Sequence, residues 1–198
     1  MSADPGDADA GRAIFVEKQC ARCHVPDGQR GAGPALEELR WPQGEMELAG
    51  RLWNHVPTMA QALSEAGFEW PKLTEAEMAN LMAYLGAAPR RDPEPNLHRG
   101  QLILLRKGCL KCHSLRQEGG RVKPDLAERR ADYDSGPAWA ATMWAHTPTM
   151  AQMSSRLGIA YPRFAGDEMG NLVGFLSTPP RAARFAPGRR GARRRGNG

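Results

Sequence analysis

Cys20-Ala21-Arg22-Cys23-His24 decides how the chain is read, and it returns as Cys109-Leu110-Lys111-Cys112-His113. Two thiols two residues apart, followed at once by His, form the pattern for covalent haem attachment. Each sulfur adds to a vinyl group and the imidazole supplies one axial nitrogen to iron. The spacing has a mechanical reason: one helical turn presents both sulfurs to one porphyrin edge, and the next residue sets the imidazole over the metal. The two copies use all four cysteines in the chain. A zinc ribbon spaces its Cys pairs about 15–20 residues apart, far closer than these stand, and a disulfide across a two-residue gap is awkward. Neither explains a His after both pairs. His24 and His113 are therefore candidate iron ligands, Cys20, Cys23, Cys109 and Cys112 candidate attachment points, and two covalently attached haem c the expected cofactors.

The 198 residues carry a net charge of +5, concentrated at one end. Residues 181–198 hold seven Arg and no acid, which leaves 20 basic against 22 acidic side chains in residues 1–180. The mean hydropathy of −0.56 is that of a soluble protein, and no apolar run approaches the roughly 18 residues that argue for a membrane span. The polar, acidic start, Met1 to Ala10, has no signal-peptide pattern. Covalent haem is normally installed outside the cytoplasm, so the chain reads as a mature exported, periplasmic protein behind an initiator Met.

An internal repeat runs at offsets of 89 to 91. Gly11-Arg12-Ala13-Ile14 matches Gly100-Gln101-Leu102-Ile103, and Trp53-Asn54-His55-Val56-Pro57-Thr58-Met59 matches Trp144-Ala145-His146-Thr147-Pro148-Thr149-Met150. Glu77-Met78-Ala79-Asn80-Leu81 matches Glu168-Met169-Gly170-Asn171-Leu172. Pro89, Pro93 and Pro95 make the segment between the copies a stiff extended linker. The expected organisation is a first domain over 1–88, a linker over 89–96, a second domain over 97–180 and a disordered Arg-rich tail over 181–198. Each half reads as helical, without strand-like alternation. Asp9 and Asn96 are candidate N-caps, and middle helices are expected over about 45–55 and from Ser135 to about Ala145. Pro57 and Pro148 are expected to stop them, with short helices following to Gly67 and Gly158. A capping box, Thr74 with Glu77, opens the last helix of the first half. Ala165 stands in place of Thr74 in the second half, where Gly170 and Gly174 predict a looser helix.

Each half resembles a class I c-type cytochrome, and the pair resembles tandem dihaem cytochromes c, over roughly residues 8–86 and 97–178. The family's crossing of first and last helices is matched by Gly11 with Leu81 and Tyr84, and by Gly100 with Leu172 and Phe175. Phe15 matches the aromatic of its first helix, where the second copy has Leu104. Pro34-Ala35-Leu36 and Pro124-Asp125-Leu126 match its Pro-x-Leu. The resemblance implies an all-α fold of two such domains in tandem, with the Pro34 and Pro124 carbonyls accepting from the ligating imidazoles.

Three recurring pairs compete for the second axial position: His55/His146, Met59/Met150 and Met78/Met169. Met78 and Met169 stand at helical spacing beside Leu81 and Leu172, which is packing. The family places its thioether ligand where Met59 and Met150 stand, so His/Met ligation and a fairly high potential are expected. His55 and His146 then either bond local backbone at a helix end or pair, with Trp53 and Trp144, to a haem propionate. His98 has no counterpart in the first half and reads as a surface residue. The function implied is single-electron transfer between redox proteins, through two coordinatively closed irons and with no catalytic residue. The alternative is a small dihaem oxidoreductase, peroxidase-like or sulfur-compound oxidising, with one labile ligand. The tail is either a solvated end or a dock for an acidic partner or an anionic membrane surface; nucleic acid fits an exported haem protein poorly.

Overall fold

The computed structural model describes residues 6–25, 31–122, 124–128 and 133–178. The Arg-rich tail lies outside them. Seven α-helices carry the fold: α1 Ala8–Glu17, α2 Leu36–Leu39, α3 Glu45–Glu65, α4 Glu75–Tyr84, α5 Leu97–Arg106, α6 Gly136–Arg156 and α7 Glu168–Ser177. Each haem motif is wound into a single 3-10 turn, Cys20–Arg22 and Cys109–Lys111. A two-residue hairpin, β1 Ser114–Leu115 with β2 Glu118–Gly119, is the strand that alternation did not announce.

The helix starts follow from their caps. Asp7, not Asp9, caps α1, its carboxylate accepting from the backbone N–H of Asp9 and Ala10. Asn96 caps α5 as expected. Ser135 accepts from Ala138 N–H at the start of α6, with Pro137 in the first turn, where its missing N–H costs nothing. The Thr74–Glu77 capping box is present on α4, whereas α7 starts at Asp167 without a side-chain cap. Glu168 compensates by accepting from Ala165 N–H.

In each half the first and last helices cross at glycine. A Cβ on Gly11 would run into the Asn80 carbonyl and lie 2.7 Å from Tyr84 Cβ; one on Gly100 would meet Asn171 O and lie 2.7 Å from Phe175 Cβ. The crossings are also pinned by side chains. Asn80 Oδ1 accepts from Asp7 N–H at 2.8 Å, and Asn171 Oδ1 from Asn96 N–H at 2.7 Å.

The prolines do not end the middle helices. α3 runs through Pro57 and α6 through Pro148, 21 residues each, and they stop at Gly67 (φ 74°) and Gly158 (φ 64°). An interior proline costs about 3 kcal/mol because it removes the i→i−4 hydrogen bond. Here the carbonyls it orphans, those of Trp53 and Trp144, are taken by the other half. Tyr161 Oη donates to Trp53 O at 3.0 Å, and Trp70 Nε1 donates to Trp144 O at 3.0 Å.

Those bonds belong to a reciprocal interface. The loop after α3 in the first half packs on α6, and the loop after α6 in the second packs on α3. Trp53 donates to Pro162 O and Trp144 to Pro71 O, both at 2.7 Å. Trp53 stacks on Tyr161 at 5.5 Å between ring centres and meets Phe164 edge-on; Trp70 lies 4.3 Å from Trp144. The two cores merge into one apolar cluster that includes Phe15, Val56 and Met78 from one half and Leu104, Trp139 and Met169 from the other. The linker is likewise tied down: Ala88 N–H donates to Gln43 O, Pro89–Arg91 form a 3-10 turn, and Asp92 accepts Met46 N–H at the start of α3. The stiff extended linker of the sequence reading is thus replaced by a turn fixed to the first half.

Candidate haem sites

Each Cys-x-x-Cys-His motif is set by one left-handed residue, Gln19 (φ 65°) or Gly108 (φ 74°), which turns the chain out of the preceding helix. The His24 N–H then closes on Cys20 O and that of His113 on Cys109 O, both at 3.0 Å, so thiols and imidazole share one turn. None of the four cysteines is in a disulfide. His24 Nδ1 lies 3.0 Å from Pro34 O, and His113 Nδ1 lies 3.2 Å from Pro124 O. A carbonyl can only accept, so Nδ1 carries the proton and Nε2 presents its lone pair to the site. Gly33 lies flat against the His24 ring, where a Cβ would come within 2.6 Å of Cε1.

In the second half the loop behind the imidazole is braced by Asp125. Its buried carboxylate accepts from Ser114 Oγ, Arg116 N, Gln117 N and Ala127 N. These bonds hold open a hairpin turn in which Arg116 and Gln117 both adopt positive φ. Burial alone would push this carboxyl up; the four donors instead bring it down to about 2.

Across from each motif imidazole runs a long helix. His24 faces His55 of α3 with ring centres 6.2 Å apart, and His113 faces His146 of α6 at 6.4 Å. Burial, followed by nearby His24 and Arg163, holds the His55 imidazole below its usual range. Met59 and Met150 lie one helical turn further on, half-buried on helix and not in an irregular segment. In the second half Cys109, Cys112, His113, His146, Met150 and Leu172 border a cavity of about 650 Å³. That volume lies in the range of small-molecule and cofactor pockets. Its walls are mostly apolar side chains, with both thiols and the imidazole at hand, as a covalently held macrocycle requires.

The family model for cytochrome c matches residues 8–88. Over these residues the chain is similar to cytochrome c. The family brings covalent haem, iron and electron transport with it. No curated protein and no solved structure matches the chain. The matched residues span α1 to α4, and α5 to α7 repeat their order of helix, Cys-x-x-Cys-His motif, long helix and terminal helix.

Several side chains stand elsewhere than the sequence placed them. The indole N–H groups of Trp53 and Trp144, expected at a propionate, donate instead to Pro162 and Pro71 across the interface. An indole has one donor, and it is used. Trp53 still lines a cavity beside a Cys-x-x-Cys-His motif, but that of the opposite half. Met78 and Met169 are fully buried packing residues, and Trp139 Nε1 donates to Met169 Sδ. Phe15 is buried 6.5 Å from the His24 ring centre, with Leu104 buried at the equivalent place. His98 is exposed. Sequence reasoning assigned no role to Trp70, Tyr161, Phe164, Asn80 or Asn171. The signal was present: Trp70-Pro71 and Tyr161-Pro162 recur at the same offset of 91 as the tryptophans they meet.

Proposed function

We propose that the chain is a dihaem c-type cytochrome that passes single electrons between redox partner proteins. Haem c would be joined to Cys20 and Cys23 in the first half and to Cys109 and Cys112 in the second. One observation carries this reading. Both motifs hold an imidazole against a proline carbonyl, and both imidazoles face a long helix that bears a His and a Met. Such an iron is closed on both sides, with no position for a substrate.

A bound haem supplies a one-electron ferric/ferrous couple. The chain's residues do the rest. His24 and His113 bind through Nε2, and Pro34 and Pro124 fix the ring orientation and raise its basicity. Phe15, Leu104 and the interface tryptophans keep water from the macrocycle. A second ligand would come from α3 and α6, where the thioethers of Met59 and Met150 share a face with His55 and His146. The shared core and the reciprocal loops would hold the two sites at a constant separation.

An exported, periplasmic location follows from haem attachment chemistry, and among the described residues no helix is long and apolar enough to cross a membrane. The seven Arg of residues 181–198 suit an acidic partner or an anionic membrane surface, in contacts weakened by salt. The test is mass spectrometry of the denatured chain together with an anaerobic redox titration. Two haems per chain, two one-electron steps and no carbon monoxide binding by the native ferrous protein are expected. A single haem overturns the dihaem reading, and carbon monoxide binding shifts the assignment to the peroxidase-like or sulfur-oxidising enzyme.

A further inference from the structure

The distances between facing imidazoles bear on which side chain of each long helix would reach a metal held by the motif imidazole. Metal–imidazole nitrogen bonds run at about 2.0–2.1 Å. Two imidazoles bound end-on to one metal from opposite faces therefore hold their ring centres roughly 6 Å apart. The observed separations are 6.2 Å for His24 and His55 and 6.4 Å for His113 and His146. A ring that merely rested on the far face of a porphyrin would need carbon contacts of about 3.5–4.0 Å from the macrocycle. That would place the centres at least about 6.5 Å apart, and further for a ring on edge. Interplanar tilts of 51° and 58° also exclude a parallel stack of the two rings.

The thioethers stand one turn further along each helix. Met59 and Met150 follow His55 and His146 by four residues on a continuous helix, a rise of about 6 Å. Side chains on a helix lean alike toward its N-terminus, so imidazole and thioether cannot both stand beneath one iron. In each half a His of the long helix lies opposite the motif imidazole. The helix is also held in register there: the Trp53 and Trp144 carbonyls, two residues before each His, are fastened to Tyr161 and Trp70 of the opposite half.

We propose that His55 and His146 are the sixth ligands of the two irons, so that both centres are bis-imidazole. This rests on the dihaem reading. Both potentials then lie below those of a His/Met cytochrome, because the soft thioether that stabilises ferrous iron is absent.

Absorption and electron paramagnetic resonance spectra of the oxidised holoprotein test it. Two low-spin ferric haems without the far-red Fe–sulfur charge-transfer band are expected. His55→Ala and His146→Ala should each turn one haem high-spin and raise carbon monoxide binding from none to one per chain. Met59→Leu and Met150→Leu should leave both irons low-spin. An Fe–sulfur band in the wild-type protein overturns the proposal, and that measurement does not depend on any variant folding. High-spin iron in the Met variants with low-spin iron in the His variants overturns it too. A pyridine haemochrome count below two per chain would instead sink the dihaem reading, whatever the ligands.

Discussion

Trp70 and Trp144 hold each other across the two halves: their ring centres lie 4.3 Å apart, and the Trp70 indole N–H donates to the Trp144 carbonyl at 3.0 Å. That carbonyl is available because Pro148, four residues on, has no N–H to give it. Pro57, Trp53 and Tyr161 repeat the arrangement in the other direction. A residue that breaks helices is here the source of the acceptor that fastens one half to the other.

Tyr161→Phe should lower stability by about 1–3 kcal/mol, since it removes a hydrogen bond and leaves a buried carbonyl unpaired. In a Pro57→Ala background the helix regains an N–H for Trp53 O, and the same substitution should cost less. A double-mutant cycle by urea unfolding of the holoprotein should give a coupling of about 1 kcal/mol. Strict additivity would show that the proline and the tyrosine act independently.

Because the cores are continuous, the holoprotein should unfold in one cooperative transition. Trp144→Phe removes the bond to Pro71 O and should lower the midpoint seen by haem absorbance and by helical circular dichroism together. Two separated transitions in the wild type would mean that the halves are stabilised independently.

Gly11→Ala and Gly100→Ala should each cost about 1–3 kcal/mol, because the added Cβ meets helix backbone at the crossing. Gly67→Ala faces open space at φ 74° and should cost about 1 kcal/mol from backbone strain alone. Thermal unfolding of the three variants ranks them, and equal losses would remove the close-crossing explanation.

Asp125→Ala should destabilise the second haem loop by about 3 kcal/mol, as four donors lose their acceptor. A folded value of about 2 lies below the ordinary 3.8. Its contribution is therefore present above the ordinary value and lost as pH falls through the folded one. Acid titration of wild type and Asp125→Asn should diverge between about pH 4 and pH 2 and nowhere higher.

Glu45 shows the opposite sign. Burial at the start of α3, and then the Asp92 carboxylate, push it from 4.5 up to about 7. The folded state holds this proton more tightly, so stability should fall as pH rises from about 4.5 to about 7 and level off above. Glu45→Gln should flatten that slope and stabilise the protein at pH 8. An unchanged slope would place the pH dependence elsewhere.

The Cys-x-x-Cys-His motifs and the repeat were legible in the sequence because each is a local pattern whose chemistry depends on spacing alone. The helix-crossing glycines were legible through the resemblance to class I c-type cytochromes. Two thiols and an imidazole within five residues can do little else, and a Gly at a crossing is chosen for its missing Cβ. Caps were legible to within a residue or two: Asn96, Ser135 and Thr74 stand as read, while Asp7 took the place of Asp9. The prolines misled, since a broken ladder ends a helix only if nothing distant satisfies the orphaned carbonyl. Tyr161 and Trp70, more than 70 residues away in the chain, do so. Tertiary structure alone decided that the halves share one core, that Trp53 walls the other half's cavity, and which imidazoles face each other. Those relations depend on how two amphipathic helices dock, and docking is set by complementary surfaces that no single stretch of chain contains.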